Sequence, residues 1–166
     1  FSWGDTIPPT CSIRDEPSPP EPMPSFRLHP ALAEIPADQW NALVGIQPGL
    51  SHAFLTTLET SGCVAPRTGW APRHAALWEG EHLIAAMPLY LKSHSYGEYV
   101  FDWAWADAYR RHGLDYYPKW LSAVPFTPIP GPRILGRDAA SRQALIGQVL
   151  QEVRTSGASS FHVLFP

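Results

Sequence analysis

Charged residues and long apolar runs are both scarce in this sequence. Of its 166 residues, 16% are charged, against about 25% in an average globular protein. The formal net charge of −3 gives no reason to expect DNA or an anionic membrane as the main partner. No apolar run approaches the roughly 18–20 residues that cross a bilayer, so the sequence predicts no membrane span.

Signals for disulfides, metals and secretion are also missing. There are two cysteines; Cys11 lies in a segment predicted to be disordered, so no disulfide is expected, and Cys63 is interpreted as a small buried apolar residue. The histidines form no H-x-x-x-H pair and no cluster with cysteine, so we predict no metal site. The first residues contain neither Met nor a basic region before an apolar stretch. We therefore expect a cytoplasmic protein whose natural chain begins earlier.

Proline is abundant and unevenly spread. Seven of the nineteen prolines lie in residues 1–25, where few apolar residues could offset the entropy lost on ordering. We predict a disordered lead-in over residues 1–25 and one compact domain over residues 26–166. With 45% hydrophobic residues, the composition is typical of a globular, water-soluble protein.

Strand and helix patterns alternate along residues 26–166. Pro36 and Ser51 predict two helix starts, and Asp138 predicts the start of a longer helix that buries one face through Leu150 and ends near Gly157. Strands are predicted over 26–35, 73–79, 82–92, 119–126 and 161–165, with a further helix over 101–112. Strand 82–92 is apolar on both faces, which favours a central position with a bulge at Pro88. The order predicts a mixed α/β sheet flanked by helices, with the 139–156 helix lying against strands 82–92, 119–126 and 161–165.

Several blocks of the sequence resemble bacterial FemAB-like, peptidoglycan-biosynthesis N-acyltransferases of the GNAT superfamily. The resemblance covers roughly residues 26–166, and the blocks that carry it are 51–55, 87–109, 116–119, 124–128, 131–133 and 162–166. It implies a GNAT-like fold of two lobes and transfer of an acyl or aminoacyl group to an amine. On this basis residues 26–166 are the first lobe, incomplete at the C-terminus, and the second lobe would follow Pro166.

The resemblance implies an acyl donor rather than a tightly bound cofactor, either aminoacyl-tRNA or acyl-coenzyme A. In GNAT proteins a loop before a helix holds the coenzyme A pyrophosphate with backbone N–H groups. The equivalent stretch here is 127–133, where Pro128, Pro130 and Pro132 remove three such donors. Gly131 is the one candidate for a cofactor contact. The alternative is a rigid turn in which Gly131 adopts a special backbone conformation.

Aromatic and acidic residues alternate in the most unusual block of the chain. Aromatic rings beside carboxylates suit a ligand with sugar or peptide parts, so we interpret Trp103, Trp105 and Tyr109 as substrate-binding residues. The alternative places the aromatic rings in the core and the carboxylates at helix caps or in solvent. By residue type alone, Asp102, Glu98 and Asp107 are candidates for the general base that takes a proton from an amine. The further substrate-binding candidates are Tyr96, Tyr117, Lys119 and Arg133.

Three functions follow as hypotheses. The first is the N-terminal part of a Fem-like N-acyltransferase that binds an amine acceptor, such as a cell-wall precursor, and is inactive on its own. The second is a coenzyme A-dependent N-acetyltransferase, and the third is a non-catalytic GNAT-like binding module. The apolar strand 161–165 is expected to need cover from the missing part of the fold.

Overall fold

The computed structural model describes residues 23–166, which form eight strands and four α-helices. The strands are β1 Ser25–His29, β2 Trp70–Pro72, β3 His74–Glu79, β4 His82–Met87, β5 Tyr90–Lys92, β6 Lys119–Ser122, β7 Leu135–Gly136 and β8 Phe161–Val163. The helices are α1 Ala37–Val44, α2 His52–Thr60, α3 Trp103–Arg111 and α4 Ala139–Thr155. Most of the predicted lead-in lies outside the described residues. At its end, Ser25 already belongs to a strand.

The first sheet has the order β1-β3-β4-β7 with antiparallel pairing throughout. One face packs on α1 and α2 through a core that includes Trp40, Leu55 and Ala86. The other face packs on α4 through Leu145 and Val149. Because β4 lies inside this sheet and is covered on both faces, the prediction of a central, doubly apolar strand is confirmed for residues 82–87.

The second sheet has the order β2-β5-β6-β8, in which β6 and β8 are parallel. The prediction of one strand over residues 82–92 is wrong, because the chain leaves the first sheet at Pro88 and enters the second at Tyr90. Pro88 has no N–H for a ladder, and its carbonyl accepts a hydrogen bond from Ser122. The single central sheet that the sequence predicted is therefore not formed. Residues 82–87 lie in the first sheet, and residues 119–122 and 161–163 lie in the second.

A buried histidine fixes the backbone at this break. The His74 ring is fully buried, and its Nδ1 accepts the Leu89 N–H at 3.4 Å. Its Nε2 then carries the proton and donates to the Glu59 carboxylate at 2.7 Å. The other oxygen of Glu59 accepts the Leu32 N–H at 2.9 Å. The hydrogen bond between His74 and Glu59 thus ties α2 to the point where the chain changes sheets.

The helix starts predicted from the sequence are confirmed. Ser51 accepts the Phe54 N–H at the start of α2, and Asp138 accepts the Ser141 N–H at the start of α4. The buried face of α4 was predicted to include Leu150, but this residue is 40% exposed. None of the helices in residues 23–166 is long and apolar enough to cross a membrane.

The predicted bounds of several strands, and the predicted burial of Cys63, are wrong. The first strand stops at His29 instead of reaching Ile35, because Pro30 ends it and a short 3-10 turn follows. The strands that begin at residues 119 and 161 are also shorter than predicted, and β2 and β7 were not predicted. Cys63 is exposed, not buried, because it lies in the turn after α2.

Candidate functional site

The candidate site lies on the face of the second sheet that points away from α4. Paired strands place Lys92 opposite Lys119 and Leu121 opposite His162, and alternation puts all four side chains on this face. The segment 93–118, here called the insertion, joins β5 to β6 and contains α3. Two lysines side by side repel each other unless anions accompany them, and the insertion supplies two carboxylates.

Lys119 is the centre of a group of buried polar side chains, here called the lysine cluster, which consists of Lys92, Ser95, Glu98, Asp102 and Lys119. Its side chain is 0% exposed, and its ammonium group donates to Glu98 Oε2 at 2.8 Å and to Ser95 Oγ at 3.2 Å. It also forms an ion pair with Asp102. All three partners belong to the insertion, so a single lysine of β6 holds the chain between residues 95 and 102 against the sheet. A charge buried this deeply needs such partners.

Lys92 is equally buried but less well paired. Its ammonium group lies 3.7 Å from the centre of the Trp70 ring and donates to the Tyr96 carbonyl at 3.2 Å. The nearest carboxylate oxygen is Oε1 of Glu98, at 3.9 Å. The pKa of Lys92 is lowered to about 7, chiefly by burial; the charge of Glu98 opposes this shift and the charge of Lys119 adds to it. Lys92 can therefore exist in the neutral form near neutral pH.

The two buried carboxylates differ in character. Burial raises the pKa of Glu98 above its usual value, although Lys119 and Lys92 oppose the shift. Burial would also raise the pKa of Asp102, but the hydrogen bond and charge of Lys119 outweigh it and the pKa is lowered. Oε1 of Glu98 has no hydrogen-bond partner among residues 23–166. Of the predicted general bases, Glu98 is thus better suited to accept a proton than Asp102.

Asp107, the third candidate base, is not part of this cluster. It lies on the outer side of α3 and pairs with Arg110 and Arg111. These hydrogen bonds lower the pKa of Asp107, so it is a poor proton acceptor at neutral pH.

Hydroxyl and imidazole groups extend the cluster toward β8. The Tyr117 hydroxyl lies 2.7 Å from Ser95 Oγ, which itself contacts Lys119. The Tyr116 hydroxyl lies 3.4 Å from His162 Nε2, and burial, followed by a hydrogen bond to Asp102, raises the pKa of Tyr116. Burial, followed by the charge of Lys119, lowers the pKa of His162. Sequence reasoning missed Ser95 and Tyr116, which the insertion brings to the cluster, and His162, which the register of β8 against β6 places there.

The predicted aromatic residues fall into two groups. Tyr96, Trp103 and Trp105 are exposed, Trp105 by 65%, and the Tyr96 and Trp103 rings meet at 5.3 Å. These three residues are here called the aromatic surface. Tyr109, by contrast, packs edge-on against Tyr116 at 5.2 Å, although its spacing from Trp105 places both residues on one side of α3. The insertion therefore covers the buried charges and presents aromatic rings outward.

The proline-rich loop 127–133 does not suit a pyrophosphate group. Its N–H groups at Thr127, Ile129 and Gly131 donate to carbonyls of Val124, Thr127 and Phe165, respectively. The Arg133 guanidinium is buried and turns back onto the carbonyls of Ile129 and Gly131. Since the remaining positions 128, 130 and 132 are prolines, the stretch 127–132 offers no N–H group to a ligand. Gly131 and Arg133 close this loop and lie apart from the lysine cluster.

Within residues 23–166, no group of three or more His, Cys, Asp or Glu side chains is arranged to hold a metal ion. The charges of the cluster are balanced among its own lysines and carboxylates.

Comparison with known proteins identifies one family. The model of the FemAB-like family, described as peptidoglycan biosynthesis/recognition, matches residues 31–166. The match includes every residue of the lysine cluster and of the aromatic surface. Searches of curated proteins and of solved structures gave no match.

Proposed function

The chain belongs to the FemAB-like family, and we propose that it forms the first lobe of a cytoplasmic N-acyltransferase acting on an amine of a peptidoglycan precursor. The order of elements supports a GNAT-like lobe over residues 26–166. Two helices follow β1, antiparallel strands come next, and α4 joins the parallel strands β6 and β8. The family description supports a cell-wall substrate.

The observation that carries the proposal is the buried Glu98 between two lysines. A carboxylate whose pKa is raised by burial accepts a proton more readily than an ordinary carboxylate. Oε1 of Glu98 is the oxygen without a hydrogen bond, while Oε2 is held by Lys119. The same side chain is thus positioned by one oxygen, while its other, buried oxygen has no hydrogen bond within residues 23–166.

The reaction needs such a group. The nitrogen lone pair of the acceptor amine attacks the donor carbonyl carbon, a C–N bond forms, and the bond from that carbon to the donor's leaving group breaks. The leaving group departs with the bonding electrons, and the amine proton passes to Glu98. Asp102 remains ionised beside Lys119 and orients the ammonium group that holds Glu98. The aromatic surface would hold sugar or peptide parts of the acceptor by stacking.

An aminoacyl donor is favoured over coenzyme A. The loop that would cradle a pyrophosphate has its N–H groups occupied or replaced by proline. An aminoacyl ester of tRNA presents its reactive carbonyl without needing that cradle. A coenzyme A-dependent N-acetyltransferase is therefore the weaker hypothesis for this chain.

A non-catalytic binding module is the second candidate function. The observation in its favour is that Lys92 and Lys119 are both fully buried, as in a purely structural cluster. In that case the aromatic surface would bind the cell-wall component and no bond would be made.

Mass spectrometry distinguishes these functions. A disaccharide-pentapeptide acceptor is incubated with the full-length protein that contains this lobe and the expected second lobe, and with either aminoacyl-tRNA or acetyl-coenzyme A. The proposal predicts an acceptor mass increase of one aminoacyl group with the first donor, and its loss in Glu98→Gln. Binding of the acceptor without any mass increase supports the binding module, and an acetyl increase supports the coenzyme A-dependent enzyme.

A further inference from the structure

Four aromatic rings line a pocket at the edge of the insertion. The pocket has a volume of about 280 Å³ and is bounded by Tyr96, Tyr99, Phe101, Phe126 and the backbone of Gly97. The four rings are between 39% and 60% exposed, so part of each ring remains free for a ligand. Three of these residues, Tyr99, Phe101 and Phe126, were not among the sequence-predicted site residues.

The chemistry of this lining suits a cation. The face of an aromatic ring carries partial negative charge, and rings around one space bind quaternary and alkylated ammonium groups. Among residues 23–166 no charged side chain lines the pocket, so no cation from this part of the chain already fills it. We propose that Tyr96, Tyr99, Phe101 and Phe126 form an aromatic cage that binds the alkylammonium group of a small organic cation.

The backbone fixes the shape of the cage. Tyr99 and Phe126 have positive φ angles of 61° and 57°, a left-handed conformation that is unfavourable for bulky residues. Gly97, with φ of 81°, lies against the Phe126 ring, where an added Cβ would come within 2.6 Å. The Phe126 N–H donates to the Gly97 carbonyl at 3.2 Å. Unfavourable conformations at two aromatic residues around one pocket are typical of a binding site whose geometry matters.

The composition of the pocket wall favours a cation over a neutral sugar. Phe126 is held from behind by Trp70, whose ring centre lies 5.3 Å away. The pocket wall offers rings and almost no hydrogen-bonding side chains apart from the tyrosine hydroxyls, whereas sugars require several such groups.

The cage does not depend on the proposed transferase activity. An amine acceptor in its protonated form is an alkylammonium ion, so the cage could hold a charged amine of the acceptor while another amine reacts. Binding of a simple cation can be measured without any acyl donor. The two proposals can therefore fail separately.

Choline and its uncharged analogue 3,3-dimethyl-1-butanol test the cage, because they have the same shape and differ in charge. Proton NMR of each compound is followed as the protein is added. We expect the N-methyl signal of choline to move upfield under the rings, with a dissociation constant of about 1–10 mM. The neutral analogue should bind about tenfold or more weakly.

Matched variants localise the site. Phe101→Leu keeps an apolar side chain of similar size and removes one ring, and should weaken choline binding about threefold to tenfold. Leu114→Ala, an exposed change elsewhere in the insertion, should leave the dissociation constant unchanged. Equal binding of choline and its neutral analogue, binding of N-acetylglucosamine in their place, or no shift at all would each overturn the proposal. So would an unchanged affinity in both Phe101→Leu and Tyr96→Leu.

Discussion

Replacing Lys119 by methionine tests whether the buried charges hold the insertion on the sheet. Methionine fills a similar volume but leaves Asp102 and Glu98 without the ammonium group that contacts both. Removing one partner of a buried ion pair costs about 3–5 kcal/mol, which is a large part of a typical stability of about 5–15 kcal/mol. For a chain of this size the melting temperature should fall by roughly 6–20 °C.

Thermal and urea unfolding followed by circular dichroism measure this change. The double variant Lys119→Met with Asp102→Asn should be more stable than the sum of the two single effects predicts. The reason is that Asp102→Asn removes the carboxylate that Lys119→Met leaves buried without its cation. Arg137→Met, which breaks an exposed pair with Glu79, is the matched surface control and should have little effect. If Lys119→Met behaved like this control, the cluster would not be the buried, coupled unit described above.

Three further predictions concern pH, ligand binding and the sheet break. In unfolded chains Lys92 keeps its proton up to its usual pKa of 10.5, but in the folded protein it loses it near pH 7. The unfolded state therefore binds more protons between these values, so the free energy of unfolding should rise with pH from about 7 to 10. Urea titrations at each pH should show this slope in the wild type and not in Lys92→Met. Acetyl-coenzyme A should give no measurable heat of binding in calorimetry, because the loop 127–133 has no free N–H group up to residue 132; micromolar affinity would contradict this. His74→Phe should cost about 1–3 kcal/mol of unfolding free energy, since the Glu59 carboxylate and the Leu89 N–H both lose a partner, and an unchanged urea midpoint would refute that role.

Local signals in the sequence predicted much of the fold. Side chains that cap a helix act within three residues, so Ser51 and Asp138 marked the starts of α2 and α4 correctly. The division into two sheets was not predictable in the same way. Pro88 signalled an interruption, but whether the chain bulges or changes sheet depends on His74, fourteen residues earlier, and on Ser122 in another strand.

The candidate site was predicted only in part. Glu98, Asp102, Tyr117 and Lys119 were identified by type, and they do lie together. Their pairing depends on the register that sets Lys92 beside Lys119, and no local pattern reports a register between strands separated by the insertion. Asp107 was predicted on the same ground of residue type, but it lies outside the cluster and pairs with Arg110 and Arg111 on the surface.

Calorimetric titration of the protein with a disaccharide-pentapeptide fragment of peptidoglycan tests the central claim most directly. The account predicts saturable binding by the wild type, and at least about tenfold weaker binding by Trp103→Leu, which removes an exposed ring of the aromatic surface without touching the core. Circular dichroism of the variant should match the wild type. Absence of binding by the wild type, or equal affinity of the well-folded variant, would contradict recognition of a cell-wall precursor by this surface.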